Sequence, residues 1–597
     1  MKFWKMVLAV VIGLLITTVI TFFLISGTIS SLASASGSTP LLPKSGVMVM
    51  DMSQIVLTEQ ASGSNDVMSL VQGGSSAQPV GLWKAVQALN KAAEDPGVKY
   101  IFLKADGVSG GIAQIQELRK SLENFRQSSK PVIAYIESPS TAGYYLASVA
   151  DKIYMTSEQG GTSMLIGIGT QMFFLKDLLD KLGVNVQLIR HGKYKSAGEM
   201  FVKNAPSPEN MEQNQAMIDA IWASYASEIA ASRDLTVDQV NTAIDNLLLN
   251  LPQDFLDNGF VDGLLTREEL HSKLADLAVV PSFDDLKTFA FTDYIAAKVT
   301  PNVKIKNKIA IIYADGEIVE GNGKTEVAGD RFASVIAKVR ADSTVKAVVF
   351  RVNSPGGSVL ASEKIKTEID LLRATRPVVA SYGDYAASGG YWISNSCDKI
   401  YSDASTLTGS IGVFSMIPDF SKVMKDVAHV NLVTVSSNKH SDMYTLTRPF
   451  DQAELDYMQA SVENIYELFV NTVAEGRELE PEFVDSIAQG RVWAGTDALA
   501  IGLVDEIGTL EDAVVWAASA AGDADLAVWQ VAEYPKPLTT MEQMREMLGQ
   551  KSAPEENILS GTPFAGVAGA MSGWAKRVKE NPADVMFARI PYAMDIR

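Results

Sequence analysis

Three short segments of this chain hold residue types suited to attack on a carbonyl. The first, Asn353-Ser354-Pro355-Gly356-Gly357, follows an apolar run. Its paired glycines leave bare backbone N–H groups able to face a cavity, as stabilisation of an oxyanion requires. The same pair also suits a plain strand-to-helix turn. The second, Ala386-Ala387-Ser388-Gly389-Gly390, sets a hydroxyl among residues without bulk, ahead of a predicted helix through Tyr391, Trp392 and Ile393. There the hydroxyl is accessible and feels the positive end of the helix dipole; close helix–sheet packing would use the same small residues. The third, Leu407-Thr408-Gly409-Ser410-Ile411-Gly412, offers Ser410 either as a partner for a base or as an ordinary turn serine.

An unassisted serine hydroxyl is a poor nucleophile, so a base is needed. The chain has four histidines, His191, His271, His429 and His440; His440 lies after Ser388 and could complete a Ser–His arrangement, whereas the other three have no surrounding motif. The other candidate is Lys195, in Lys193-Tyr194-Lys195-Ser196-Ala197. The residues alone leave the base open between these two.

The elements that must position these groups occur twice. Val98 to Lys104, Gly110-Gly111, a helical stretch, Pro131 to Ile136 and Gly143 to Tyr154 return in the same order. Their counterparts are Val345 to Arg351, Gly356-Gly357, a helix, Pro377 to Tyr382 and Gly390 to Tyr401. The spacing of roughly 250 residues marks a tandem duplication. Short β-branched runs alternating with amphipathic helices predict an α/β unit in each half, with parallel strands and crossover helices. The helix from Ala361 to Arg373 is the clearest, with Ile365, Ile369 and Leu372 at helical spacing. Functional groups of parallel sheets sit on the loops at strand ends, where the glycine-rich segments fall. The halves are not equivalent: Thr141 or Ala142 stands where the second half has Ser388, and a segment near Lys439 and His440 stands where the first has Lys195.

A length of 597 residues calls for at least two domains, and 47% apolar with 20% charged residues is the composition of a globular chain. A net charge of -19 without a basic cluster sets nucleic acid aside as a partner. The single cysteine, Cys397, forms no intramolecular disulfide, and no phosphate loop, nucleotide fingerprint or metal-ligand spacing occurs, so no cofactor is expected. At the N-terminus Lys2 and Lys5 precede an uncharged, mostly apolar run from Met6 to Ile25. That is long enough to span a bilayer, with the N-terminus inside and everything beyond outside the cytoplasm; Ala33-Ser34-Ala35 offers the competing reading of a cleaved signal. The predicted organisation is a transmembrane anchor over 1–27, a linker over 28–45, repeats over 46–300 and 301–535, and a tail over 536–597. A short amphipathic helix is predicted from Lys536 to Gln550.

Together the anchor, the tandem halves, Y-K-S-A in the first half and S-P-G-G, A-A-S-G-G-Y and L-T-G-S-I-G in the second resemble the signal peptide peptidase A, or protease IV, family in its long two-repeat form. The resemblance runs from the anchor to about Val531. It implies tandem ClpP/crotonase-like α/β repeats and endoproteolysis of remnant signal peptides on the periplasmic side of the bacterial inner membrane. It further implies a bowl-shaped homotetramer in which the lysine of one subunit meets the serine of a neighbour, while the residues themselves leave open whether the dyad forms between or within subunits. Residue by residue it implies Ser388 as nucleophile, Lys195 as general base, Ser410 as the group that positions the lysine amine, and the N–H groups of Gly356 and Gly389 as oxyanion hole. Each half then supplies one member of the dyad. A lysine with an ordinary pKa near ~10.4 carries a proton at neutral pH, so burial has to depress it. Two other classes share parts of this pattern. A crotonase-type acyl enzyme uses a similar oxyanion hole without a serine nucleophile, and a non-catalytic membrane scaffold needs no reactive group.

Overall fold

The computed structural model describes residues 39–60, 77–160, 163–324 and 326–537, and the backbone of one further strand, Met586–Arg589. The predicted anchor over 1–27, part of the linker and most of the tail, including all but the first two residues of its predicted helix, lie outside them. Among the described residues no helix is long and apolar enough to cross a membrane.

The β-branched runs form strands, and the runs between them form helices that cover both faces of each sheet. In the first half the sheet order is Gly263–Leu265, Lys152–Thr156, Val132–Ile136, Val98–Lys104, Gly46–Asp51 and Thr288–Ala290, every pair parallel. The second half repeats the plan around Val378–Ala387, Val345–Ser354, Lys308–Asp315 and Gln530–Tyr534, with Lys399–Ser402 and Leu407–Gly409 both alongside Val378–Ala387. Strands enclosed on both faces must be apolar along their length, and in Val345–Ser354 only Lys346 and Asn353 are not buried. The helix predicted from Ala361 to Arg373 runs from Val359 to Arg373, with Ser358 capping its N-terminus.

The halves share a core. Leu82, Trp83 and Val86 of the first half pack with Ile309, Tyr313, Leu510 and Val514 of the second. Beneath them lies a buried ion cluster. The Arg351 guanidinium meets Glu59 and Glu117 of the opposite half, each at 2.7 Å, and donates to Ser381 Oγ and the Tyr382 carbonyl at 2.9 Å. Burial opposes the charge on Arg351, but Glu117 and Glu59 outweigh it and keep the group protonated. Removing one partner from such a buried cluster costs about 3–5 kcal/mol, because the opposing charge is stranded.

A third sheet crosses between the halves, in the order Val327–Ala328, Ile318–Val319, Gly356–Ser358, Met586–Arg589, Phe414–Asp419 and Asn185–Arg190. Its last strand belongs to the first half and pairs antiparallel with Phe414–Asp419 of the second, Arg190 opposite Phe414 and Asn185 opposite Asp419. This crossing strand carries Lys195 into the second half.

Candidate active site

Ser388 ends the strand Val378–Ala387 and begins the short helix Gly389–Trp392. The strand predicted to stop at Tyr382 continues to Ala387, and the helix predicted through Ile393 has four residues. Ser388 itself sits at φ 57°, ψ -115°, a region sparsely populated by residues with a Cβ. Such a conformation costs on the order of 1–3 kcal/mol and persists only where surrounding structure enforces it. The Ser388 N–H donates to the Gly409 carbonyl at 2.8 Å. At Gly390 the turn admits only glycine, because a Cβ would lie 2.5 Å from the Ser354 carbonyl oxygen.

The lysine arrives from the other half. Beyond the crossing strand, the His191 N–H donates to the Val413 carbonyl at 3.1 Å and the Tyr194 N–H to the Gln489 carbonyl at 3.0 Å. Lys195 then enters a slot in the second half and is 1% exposed. Its Nζ lies 2.7 Å from Ser388 Oγ, 3.0 Å from Ser410 Oγ and 3.1 Å from the Ser410 carbonyl oxygen. The serine and lysine therefore meet within one chain. This differs from the expectation that the lysine of one subunit meets the serine of a neighbour. The physical reason is the ladder between Asn185–Arg190 and Phe414–Asp419, which folds the first half's lysine loop onto its own second half.

The three oxygens around Nζ accommodate the three N–H donors of an ammonium. In the neutral form two N–H groups can donate to the two Ser410 oxygens, leaving the lone pair for the Ser388 hydroxyl proton. Ser410 Oγ can in turn donate to the Gly490 carbonyl at 3.4 Å. Burial pushes the Lys195 amine well below its ordinary range, with no charge partner restoring it.

The loop that presents Lys195 is fixed by residues the sequence does not single out. Arg190 Nη1 donates to the Lys195 carbonyl at 2.7 Å and to Glu199 Oε1 at 3.2 Å. Burial works against the charge on Glu199, but the Ser207 N–H and Lys203 outweigh it and hold the carboxyl below its usual range. Gln213 donates from Nε2 to the Tyr194 carbonyl and Ser196 Oγ, and its Oε1 accepts from the Val492 N–H of the second half. The only sequence signal for these is that Glu199 follows closely on Y-K-S-A. Gln213 lies on a long helix, Pro208–Arg233, whose buried face mixes Asn210, Gln213 and Asn214 with apolar residues, so its pattern marks none of them out.

The walls of the lysine slot are glycines. A Cβ on Gly412 would stand 3.2 Å from Lys195 Cδ, and one on Gly490, at φ 80°, would stand 2.5 Å from Lys195 Cβ. Gly490→Ala is therefore expected to displace the amine and lower kcat for peptide cleavage about 100-fold, since a shift near 1 Å is worth that much. Far-UV circular dichroism on the same sample should be unchanged; a variant with the wild-type kcat would mean that the slot does not set the lysine's position.

The remaining expected residues fall as follows. Gly389 is the first residue of the helix after Ser388, where N–H groups have no intrahelical partner. The Gly356 N–H faces inward and donates to Ser354 Oγ at 3.2 Å. His440 is turned away to Glu454, 2.9 Å from its Nδ1, so of the two candidates it is Lys195 and not His440 that reaches Ser388. The Met586–Arg589 backbone lies antiparallel between Gly356–Ser358 and Phe414–Ser415, with Ala588 opposite Gly357 and Phe587 opposite both Ser358 and Phe414.

The description Peptidase family S49 matches this chain over residues 124–281 and 370–523, once in each half. Protease 4 of Haemophilus influenzae is 32% identical over 530 residues, covering 86% of this chain and 85% of its own. Protease 4 of Salmonella typhi is 34% identical over 529 residues, covering 86% and 84%. Serine protease SPPA, chloroplastic, of Arabidopsis thaliana is 29% identical over 496 residues, covering 81% and 73%. Among solved structures, a ClpP1 mutant from Listeria monocytogenes aligns with 35% of this chain at 16% identity and a TM-score of 0.24.

Proposed function

Because the chain belongs to peptidase family S49 and is a serine peptidase, we propose that it degrades remnant signal peptides and similar apolar segments through Ser388 and Lys195. In this reading the neutral Lys195 amine takes the Ser388 proton as Oγ attacks the scissile carbonyl, and Ser410 holds the amine in line. The N–H groups of Gly389 and Gly356 receive the oxyanion, Gly356 exchanging its bond to Ser354 for one to substrate. Lysine returns the proton to the leaving amine and then activates water for deacylation. The observation that carries this reading is the 2.7 Å approach of a buried lysine to a serine held in a strained turn.

Substrate would bind as an added strand between Gly356–Ser358 and Phe414–Asp419, main-chain pairing giving affinity and side-chain pockets giving preference. Met586–Arg589 occupies that lane in this chain. We read the two halves as ClpP/crotonase-like repeats of a homotetramer, anchored by residues 1–27 in the bacterial inner membrane with the catalytic part on the periplasmic side. The apolar run after Lys2 and Lys5 supports that placement. A crotonase-type acyl enzyme would not need the lysine–serine contact, and a scaffold would not need a strained serine.

The test pairs a serine-directed covalent probe with two synthetic peptides of equal length, one an apolar signal-peptide core and one polar. Labelling confined to Ser388 and at least tenfold faster cleavage of the apolar peptide are expected. Equal rates would remove the substrate assignment, and absence of labelling at Ser388 would remove the dyad.

A further inference from the structure

The arm that carries Lys195 has a counterpart that no strand among the described residues pairs with. Residues 185–190 leave the first half and pair with Phe414–Asp419 of the second. The repeat supplies the matching segment: Val184-Asn185-Val186 corresponds to Val430-Asn431-Leu432, and the match continues without a gap until Lys195 falls opposite Ser441. Among the described residues no strand pairs with 431–436. Yet the segment is apolar and open to water, with Leu432 53%, Val433 88% and Val435 97% exposed.

The receiving edge has its counterpart too. Ser410 corresponds to Gly167, both with positive φ, 50° and 85°. Thr141, in the place of Ser388, donates from Oγ1 to the Gly167 carbonyl at 2.9 Å. Counting onward from that pair, Phe414 corresponds to Gln171 and Pro418 to Leu175. Among the described residues no strand pairs with 171–174, and Phe173 is 36% exposed. Pro418 has no N–H to give, and the N–H of its counterpart Leu175 is already spent on the Met200 carbonyl at 2.6 Å. The register that works inside the chain is thus open at the same positions on this edge.

We infer that residues 433–436 of one copy of this chain add antiparallel to residues 171–174 of a second copy, in the register that pairs Gln187–Arg190 with residues 414–417 inside the chain. The inference rests on the proposed multi-copy assembly and names its joint. Donor and acceptor lie on different halves, so each copy gives one arm and receives one. Such a head-to-tail contact closes into a ring when its rotation permits. The joint reproduces between chains the contact that already holds the halves of one chain together, so halves alternate evenly around the ring. Only a second copy carries an edge complementary by construction. Strand addition also removes two unpaired edges and covers the exposed valines. The joint is no second active site, since Ser441 stands for Lys195 there and Thr141 for Ser388.

The test uses the full-length chain in detergent at micromolar concentration. Val433→Asp with Val435→Asp places charges where the side chains already face water, so the single chain should fold as before. Its light-scattering mass is expected to drop from that of several copies to that of one. In a separate variant, Val433→Cys with Phe174→Cys should give, on mild oxidation, a ladder of cross-linked species ending at the ring's copy number. Pairing Val433→Cys with Gln171→Cys should yield less than a tenth as much. A charged variant that keeps the wild-type mass, a wild-type mass of one chain, or equal cross-linking in both cysteine pairs would each overturn the arm. Peptidase activity of the charged variant is read separately. Its dyad lies within the chain, so loss of the assembly and loss of the peptidase reading are distinguishable.

Discussion

Lys195→Arg is expected to lower kcat/KM for peptide cleavage by about 10⁴-fold or more, as deep a loss as Lys195→Ala, because removing one member of a nucleophile–base unit disables the whole. Arginine cannot give up its proton in a protein, and among the described residues no carboxylate lies beside Nζ to hold a new charge. In the wild type the same chemistry sets the pH dependence. The amine is active only when deprotonated, so kcat/KM should climb tenfold per pH unit below the lowered amine pKa and level off above it. The levelling should come well short of the ordinary lysine range, because burial depresses the group. A plateau reached only near pH ~10.4 would mean that the lysine titrates as if exposed. An active arginine variant would exclude lysine as base altogether.

Mixing Lys195→Ala chains with Ser388→Ala chains should recover no peptidase activity, even where cross-linking demonstrates that both are in one assembly. Nζ and Oγ meet at 2.7 Å within a single chain, and each defective chain keeps its own defect. The joint inferred between copies offers no rescue, because it brings together Ser441 and Thr141. The measurement is turnover of a fluorogenic peptide by the mixed sample after co-refolding or subunit exchange. Recovery approaching one active site in four would show that the lysine arm swaps between chains.

Much of this site can be read in the sequence, for a physical reason. Ser388, Gly389 and Gly390 are neighbours along the chain, so the constraint that forces φ positive at the serine and admits only glycine two residues later leaves a contiguous trace. The helix Val359–Arg373 and the parallel strands declare themselves because period and burial are local properties. The resemblance extended this to Lys195 and Ser410. What escapes is whatever the third dimension alone brings together. Gly490 follows the dyad serine by about a hundred positions, with no motif around it, yet its missing side chain is the space that Lys195 occupies. Gln213 bridges both halves from an otherwise ordinary helix. The crossing strand Asn185–Arg190 reads as an apolar alternation without saying which sheet it will join. For that reason the sequence left the dyad undecided between one chain and two.

The division of the dyad between halves has a thermodynamic consequence. Lys195 belongs to one half, and the slot that strips its water belongs to the other, so the amine is desolvated only once the two are closed on each other. Apart, it holds its proton up to an ordinary lysine pKa; closed, it releases it at a lower pH. Closing therefore expels a proton wherever the solution lies between those two values. The proton acts as a ligand of the open form, and in that window rising pH tightens the union of the halves while falling pH loosens it. The force that makes the lysine a base is thus drawn from the cohesion of the molecule itself, and acidification withdraws both together.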